Sequence, residues 1–128
     1  MWSLDTKTSR RGDTILKPEA KVKRAVTSYL KNMGAYYFYP VTGGYGASGV
    51  PDIIVCYEGK FIAIECKAGS NKPTALQNKN IENIRNCGGL ALVINEDNMH
   101  TVVDEIIKFT AKVESTNIDM ENIYKMMQ

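Results

Sequence analysis

Two short apolar runs, Pro51 to Tyr57 and Lys60 to Lys67, are separated by the dipeptide Glu58-Gly59, and this spacing constrains the chain more than any other feature. Glycine accepts positive φ, so the dipeptide reads as a tight hairpin turn. A two-residue loop fixes the register: Tyr57 pairs with Lys60, each outward residue pairs in turn, and Asp52 falls opposite Glu65. Directly opposed residues hold their Cβ atoms about 5 Å apart, and like charges in that relation destabilise the ladder. A hairpin shaped for stability alone would avoid this pair, so a cation belongs between the carboxylates. Alternation puts Asp52, Ile54 and Cys56 on one face with Phe61, Ala63, Glu65 and Lys67, and turns Cys66 to the other. A one-residue bulge would break this pairing, and then Glu65 and Lys67 would be an ordinary ion pair at the sheet rim.

Around the hairpin the chain alternates helical and extended patterns. Pro18 suits a first helical position, and Val22, Ala25, Val26, Tyr29, Leu30 and Met33 recur at helical spacing until Gly34. The aromatic stretch Ala35 to Val41 predicts a strand, and Thr42 to Val50 a glycine-rich loop. A second helix is expected from Pro73 to about Asn86, ended by Gly88-Gly89, and an almost wholly apolar strand, buried on both faces, from Leu90 to Asn95. Met99 to Val113 and Ile118 to Met127 have helical spacing. With 128 residues the chain fits one domain. Residues 1–14 are expected to be an arm, 15–113 the folded domain and 114–128 a C-terminal helix. The order αβββαβ places a mixed central sheet between flanking helices in an α/β domain.

Composition removes several classes. At 44% hydrophobic and 23% charged residues, neither a disordered chain nor a disulfide miniprotein fits. Cys56, Cys66 and Cys87 form no CxxC pair and read as small buried hydrophobes, and the single His100 excludes two-histidine metal motifs. No apolar run approaches the roughly 18 residues of a membrane span, and Met1 to Asp5 lack a signal-peptide layout, so a cytoplasmic protein is expected. The net charge of +2 is unevenly spread: residues 1–34 carry 8 basic and 3 acidic groups, residues 96–128 carry 3 and 7. The basic third, with Arg11, Lys17 and Lys21, could follow a phosphate backbone, although a solvated helix face has the same charge.

Two carboxylates and an amine on one face fit metal-assisted phosphodiester hydrolysis. Hard oxygens hold Mg²⁺ or Mn²⁺, and an ammonium steadies developing negative charge. The residues that carry this chemistry, Gly49-Val50-Pro51-Asp52 and then Glu65-Cys66-Lys67 after a hairpin, resemble the PD-(D/E)XK nuclease superfamily, whose fold is restriction-endonuclease-like. The helix bearing Glu19, the Gly-x-Pro-Asp turn, Ile64 to Ala68 and Pro73-Thr74-x-x-Gln77 resemble its virus-type replication-repair nuclease (VRR-NUC) branch.

The resemblance implies that Asp52 and Glu65 are metal ligands, with the backbone carbonyl of Cys66 a third, and that Lys67 is the catalytic lysine. It makes Glu19 an additional acid near the metal. Glu19 also heads the stripe Val22, Val26, Leu30 and so faces the sheet, while a first-turn glutamate equally complements the helix dipole. Gln77, on the stripe of Ile81 and Ile84, corresponds to a site glutamine, or is a half-exposed first-turn residue. Lys72 is placed to meet phosphate.

The loop Gly44 to Gly49 matches GxGxxG, but it leads into a strand rather than a helix, so no nucleotide cofactor is expected. It offers Tyr45 for stacking on a base. Stand-alone members of the branch resemble Holliday junction resolvases, which implies branched DNA as substrate and a homodimer, with Ile118, Ile123, Tyr124, Met126 and Met127 available for its interface. Two alternatives stay open: a sequence-specific or RNA-directed nuclease of the same superfamily, and a nucleic-acid-binding module without catalysis.

Overall fold

The computed structural model describes residues 16–41, 49–114 and 120–128. Helix α1 (Pro18–Asn32) is followed by strands β1 (Tyr36–Phe38), β2 (Ile53–Tyr57) and β3 (Lys60–Cys66), helix α2 (Ala75–Asn86) and strand β4 (Leu90–Ile94). A 3₁₀ turn (Met99–Thr101) leads into α3 (Val102–Glu114), and α4 (Met120–Met126) ends the chain. The four strands form one sheet in the order β1-β2-β3-β4. β1 to β2 and β2 to β3 are antiparallel, while β3 to β4 is parallel. The mixed α/β architecture expected from the sequence is therefore present. Among the described residues no helix is long and apolar enough to cross a membrane.

The hairpin has the register that its turn dictates. Glu58 and Gly59 both take positive φ, at 52° and 75°, the combination whose twist matches that of the flanking strands. Tyr57 pairs with Lys60, and the ladder runs back to Ile53 opposite Ile64, so the next residues outward are Asp52 and Glu65. Ile53, Val55, Ile62, Ile64 and Cys66 point to one face and join Val22, Val26 and Leu30 of α1 and Val102 and Ile106 of α3 in the main core. Burying each aliphatic side chain there contributes roughly 1.5–3 kcal/mol relative to leaving it in water. On the opposite face Ala63, Ala91 and Ile81 of α2 are buried.

Several sequence expectations are corrected. β4, expected to be buried on both faces, is fully buried only at Ala91 and Ile94, its other residues being half-buried, because among the described residues it is the edge of the sheet, paired with β3 alone; Arg85 of α2 donates a hydrogen bond to its Ala91 carbonyl at 2.7 Å. The aromatic strand is shorter than Ala35 to Val41, because Tyr39 leaves the ladder to bond to α1 and Pro40 has no N–H to contribute. Helix α2 starts at Ala75 rather than Pro73, with Thr74 as its N-cap. Only Cys66 is buried: Cys56 is exposed on the sheet face opposite the main core, and Cys87 caps the end of α2.

Gly49 joins the loop to this framework. Its φ is +77°, and a Cβ added there would lie 2.8 Å from the Leu76 carbonyl carbon and 2.9 Å from its oxygen. The chain thus passes directly against the first turn of α2 three residues before Asp52. Gly59 has a similar φ, but nothing lies within 4 Å of its would-be Cβ. Gly49→Ala is therefore expected to destabilise the fold by about 3 kcal/mol, from positive φ plus a backbone clash, and Gly59→Ala by about 1 kcal/mol, from φ alone. Urea unfolding of the two variants checks this; equal losses would contradict the close approach.

Candidate functional site

The start of β2 and the end of β3 meet at one edge of the core, and the first turn of α1 comes down on the same point. There one carboxylate oxygen from each of Glu19, Asp52 and Glu65 lies within 4.8 Å of the others. The first is delivered by the helix stripe Glu19, Val22, Val26, Leu30, whose last three members are buried. The second is held by a hydrogen bond, because the Cys66 amide donates to Asp52 Oδ2 at 2.8 Å. The side chain thus takes over the backbone pairing where the hairpin ladder stops, and this fixes the carboxylate against β3.

Glu65 is the unusual member. It is 2% exposed, and neither of its carboxylate oxygens has a hydrogen-bond partner. Lys67 Nζ stands 3.4 Å from Oε2, an ion-pair distance without hydrogen-bond geometry. Burial, followed by the charge of Asp52, raises the Glu65 pKa from 4.5 to about 7, with Lys67 pulling it down and Glu19 adding to the rise. A buried carboxylate without hydrogen bonds is costly in a native fold even beside one ammonium, and two further acids next to it increase the cost. With all three acids ionised, they and the Lys67 ammonium carry a net charge of −2, which a divalent cation would neutralise while giving the unbonded Glu65 oxygens a partner. The donor set is all hard oxygen, which suits Mg²⁺ or Mn²⁺.

Cys66 packs into the core at 0% exposure, and burial, reinforced by Asp52 and Glu65, pushes its thiol up to about 12. It stays protonated and offers neither a thiolate ligand nor a nucleophile, so only its main chain is available to the site. Past β3, the Lys67 amide extends the parallel pairing by donating to the Ile94 carbonyl at 2.8 Å. The following turn is tied to the end of β4: Gly69 N–H donates to Glu96 Oε1 at 2.8 Å, and Asn95 Nδ2 donates to the Gly69 carbonyl. That backbone hydrogen bond lowers the Glu96 pKa. Sequence reading missed both residues, since an acid and an amide after a strand give no signal of a partner 26 or 27 positions earlier.

Of the remaining predicted site residues, Gln77 is half-buried on the first turn of α2, and its Oε1 accepts from Thr74 N–H at 2.9 Å. Thr74 Oγ1 accepts in return from the Gln77 amide at 3.2 Å. This capping box leaves the Gln77 NH₂ group as the part able to reach a substrate. Lys17, Lys21 and Lys72 are exposed. Arg11 and Tyr45 lie outside the described residues.

The model of the archaeal Holliday junction resolvase (hjc) family matches residues 17–128. The chain belongs to that family. It is therefore a member of a nuclease family within the PD-(D/E)XK superfamily. Among solved structures it is similar to a VRR_NUC domain, at 19% identity over 70% of this chain and 97% of that one, with a TM-score of 0.60. A VRR_NUC domain protein is similar at 23% identity over 73% and 90%, with a TM-score of 0.58. These likenesses show the fold. No curated protein matches.

The raised Glu65 pKa has a thermodynamic consequence. Between pH 4.5 and about 7 the unfolded chain has released the Glu65 proton while the native protein keeps it, so metal-free stability should fall as pH rises through that window. The loss from this group is about 3 kcal/mol. Denaturant unfolding in EDTA at pH values spanning the window should show this slope in the wild type and lose it in Glu65→Gln. Identical slopes in the two proteins would contradict the burial of an ionisable group at this site.

Proposed function

We propose that this chain is a divalent-metal-dependent endonuclease that hydrolyses DNA phosphodiester bonds and acts on branched DNA, resolving four-way junctions as a homodimer. The observation that carries the reading is the convergence of Glu19, Asp52 and the buried Glu65, whose oxygens accept no hydrogen bond, beside the Lys67 ammonium. Family membership supports the junction as substrate.

In this reading Asp52 and Glu65 would hold Mg²⁺ or Mn²⁺, with the Cys66 carbonyl and Glu19 completing the protein's share of the ligands. A bound divalent ion supplies Lewis-acid polarisation of a phosphoryl oxygen and acidifies water. The protein's own groups do the rest. Asp52, anchored to the Cys66 amide, keeps its second oxygen in a fixed direction. Lys67, 12% exposed and held against Glu65, keeps its charge at the place where negative charge grows on the phosphate. The Gln77 NH₂ group, positioned by the capping box, is available to a phosphate oxygen. Lys17, Lys21 and Lys72 add sequence-independent contacts to the backbone, together with Arg11, and Tyr45 stacks on a base; the last two lie outside the described residues.

A domain of this size offers little surface for reading an extended base sequence, so DNA shape is the basis of its choice of target. A junction has two-fold symmetry and needs two cuts, which a two-fold dimer delivers. Tyr124, Met126 and Met127 are exposed on the C-terminal segment and offer an apolar surface for that contact. Ile118 lies outside the described residues.

Mn²⁺ should raise the melting temperature of the wild type and leave that of Asp52→Asn nearly unchanged, because only the former holds the ion. On a labelled four-way junction with Mg²⁺, Asp52→Asn and Lys67→Ala should each lose on the order of 10²-fold or more in cleavage rate. Wild-type rates in both variants would overturn the assignment. Linear duplex and RNA run alongside separate the junction reading from its relatives.

A further inference from the structure

One wall of the acidic site is cationic. A cleft of about 370 Å³ is lined by Lys17, Glu19, Ala20, Lys23 and Asp52, so two lysines line the same opening as two of the three acids. The volume is many times the roughly 30 Å³ that a water occupies in the liquid, enough to admit a phosphodiester group. Lys17 precedes α1 and is exposed. Lys23 is different: it lies on α1 one turn beyond Glu19, half-buried, with Nζ 4.8 Å from the centre of the Tyr39 ring.

That ring is itself fixed. Thr27 Oγ1 donates its single hydrogen to the Lys23 carbonyl at 2.8 Å, so in the 2.8 Å contact between Thr27 Oγ1 and the Tyr39 hydroxyl the tyrosine must be the donor. The hydroxyl is therefore spent on holding the ring to α1. The ring face, in turn, directs the lysine. A lysine restrained in this way loses less side-chain freedom on meeting a ligand than a free surface lysine does. Three clustered carboxylates repel an approaching polyanion, and Lys67 is already held by Glu65. A second, pre-positioned cation at the entrance offsets that repulsion where the strand must enter.

We propose that the Lys23 ammonium, held over the Tyr39 ring at the mouth of the acidic cleft, binds a phosphate of the DNA backbone next to the one that is cut. This rests on the reading of the chain as a DNA-cleaving enzyme and adds a positioning contact to it. A salt link to Glu19 four residues earlier is the competing, purely structural part for Lys23.

The test is binding of a fluorescein-labelled four-way junction to the full chain in EDTA, followed by anisotropy from about 50 to about 200 mM salt. Lys23→Met and Lys23→Gln, which keep much of the side-chain bulk, should weaken binding uniformly across junctions of different sequence and reduce the slope of log K against log salt by about one. Lys23→Arg should keep the wild-type slope. Wild-type affinity and slope in the Met and Gln variants would overturn the proposal. So would a loss of affinity with the slope unchanged, since that marks a structural role. If the Met and Gln variants showed the slope change but the wild type cut no DNA, this contact would stand and the nuclease reading would end; a wild type that bound no DNA would end both.

Discussion

The carboxylate of Glu65 is buried among atoms that give it no hydrogen bond, and the rest of the site is arranged around that fact. A fold that only had to be stable would replace this glutamate with an apolar residue of similar size, since a buried carboxylate with one ion pair and no hydrogen bond does not recover its cost of leaving water. Its nearest neighbours add to the difficulty on one side and relieve it on the other: Asp52 and Glu19 repel it, while Lys67 attracts it. The balance leaves excess negative charge in a small volume lined by oxygens. Glu19, Asp52 and Glu65 could together hold a divalent cation in that volume.

The geometry follows from a short chain of local causes. Two residues with positive φ set the hairpin register, the register brings Asp52 beside Glu65, and the Cys66 amide locks Asp52 in place. The alternation that sends Ile62, Ile64 and Cys66 into the core sends Ala63 and Glu65 to the opposite face. Parallel pairing of β4 with β3 then brings Asn95 and Glu96 close enough to hold Gly69, which restrains the turn after Lys67. The loop ahead of Asp52 is pressed onto α2 at Gly49, so the N-terminus of that helix and Gln77 are tied to the turn bearing the acid.

Much of this was legible in the sequence because it depends on short-range rules. The Glu58-Gly59 spacing was enough to pair Tyr57 with Lys60, and the stripe from Glu19 to Leu30 was enough to turn Glu19 toward the sheet. What could not be read depends on tertiary contacts. Leu90 to Ile94 is apolar enough to be buried on both faces, yet only Ala91 and Ile94 are fully buried, because hydropathy does not report the number of neighbouring strands and this strand lies at the sheet edge. Tyr39 continues an aromatic run but leaves the ladder for a bond to Thr27, a partner 12 residues away. Cys56 follows the strand alternation onto the face opposite the main core and is exposed there, so its exposure depends on what packs over that face and not on its own residue type.

The site's central feature can be seen directly in crystals soaked in Mn²⁺ and measured at the manganese absorption edge. The expected result is an anomalous peak in contact with Asp52 and Glu65 side-chain oxygens, lost in Glu65→Gln. A well-ordered structure with both carboxylates in place and its manganese peaks only elsewhere would contradict the assignment.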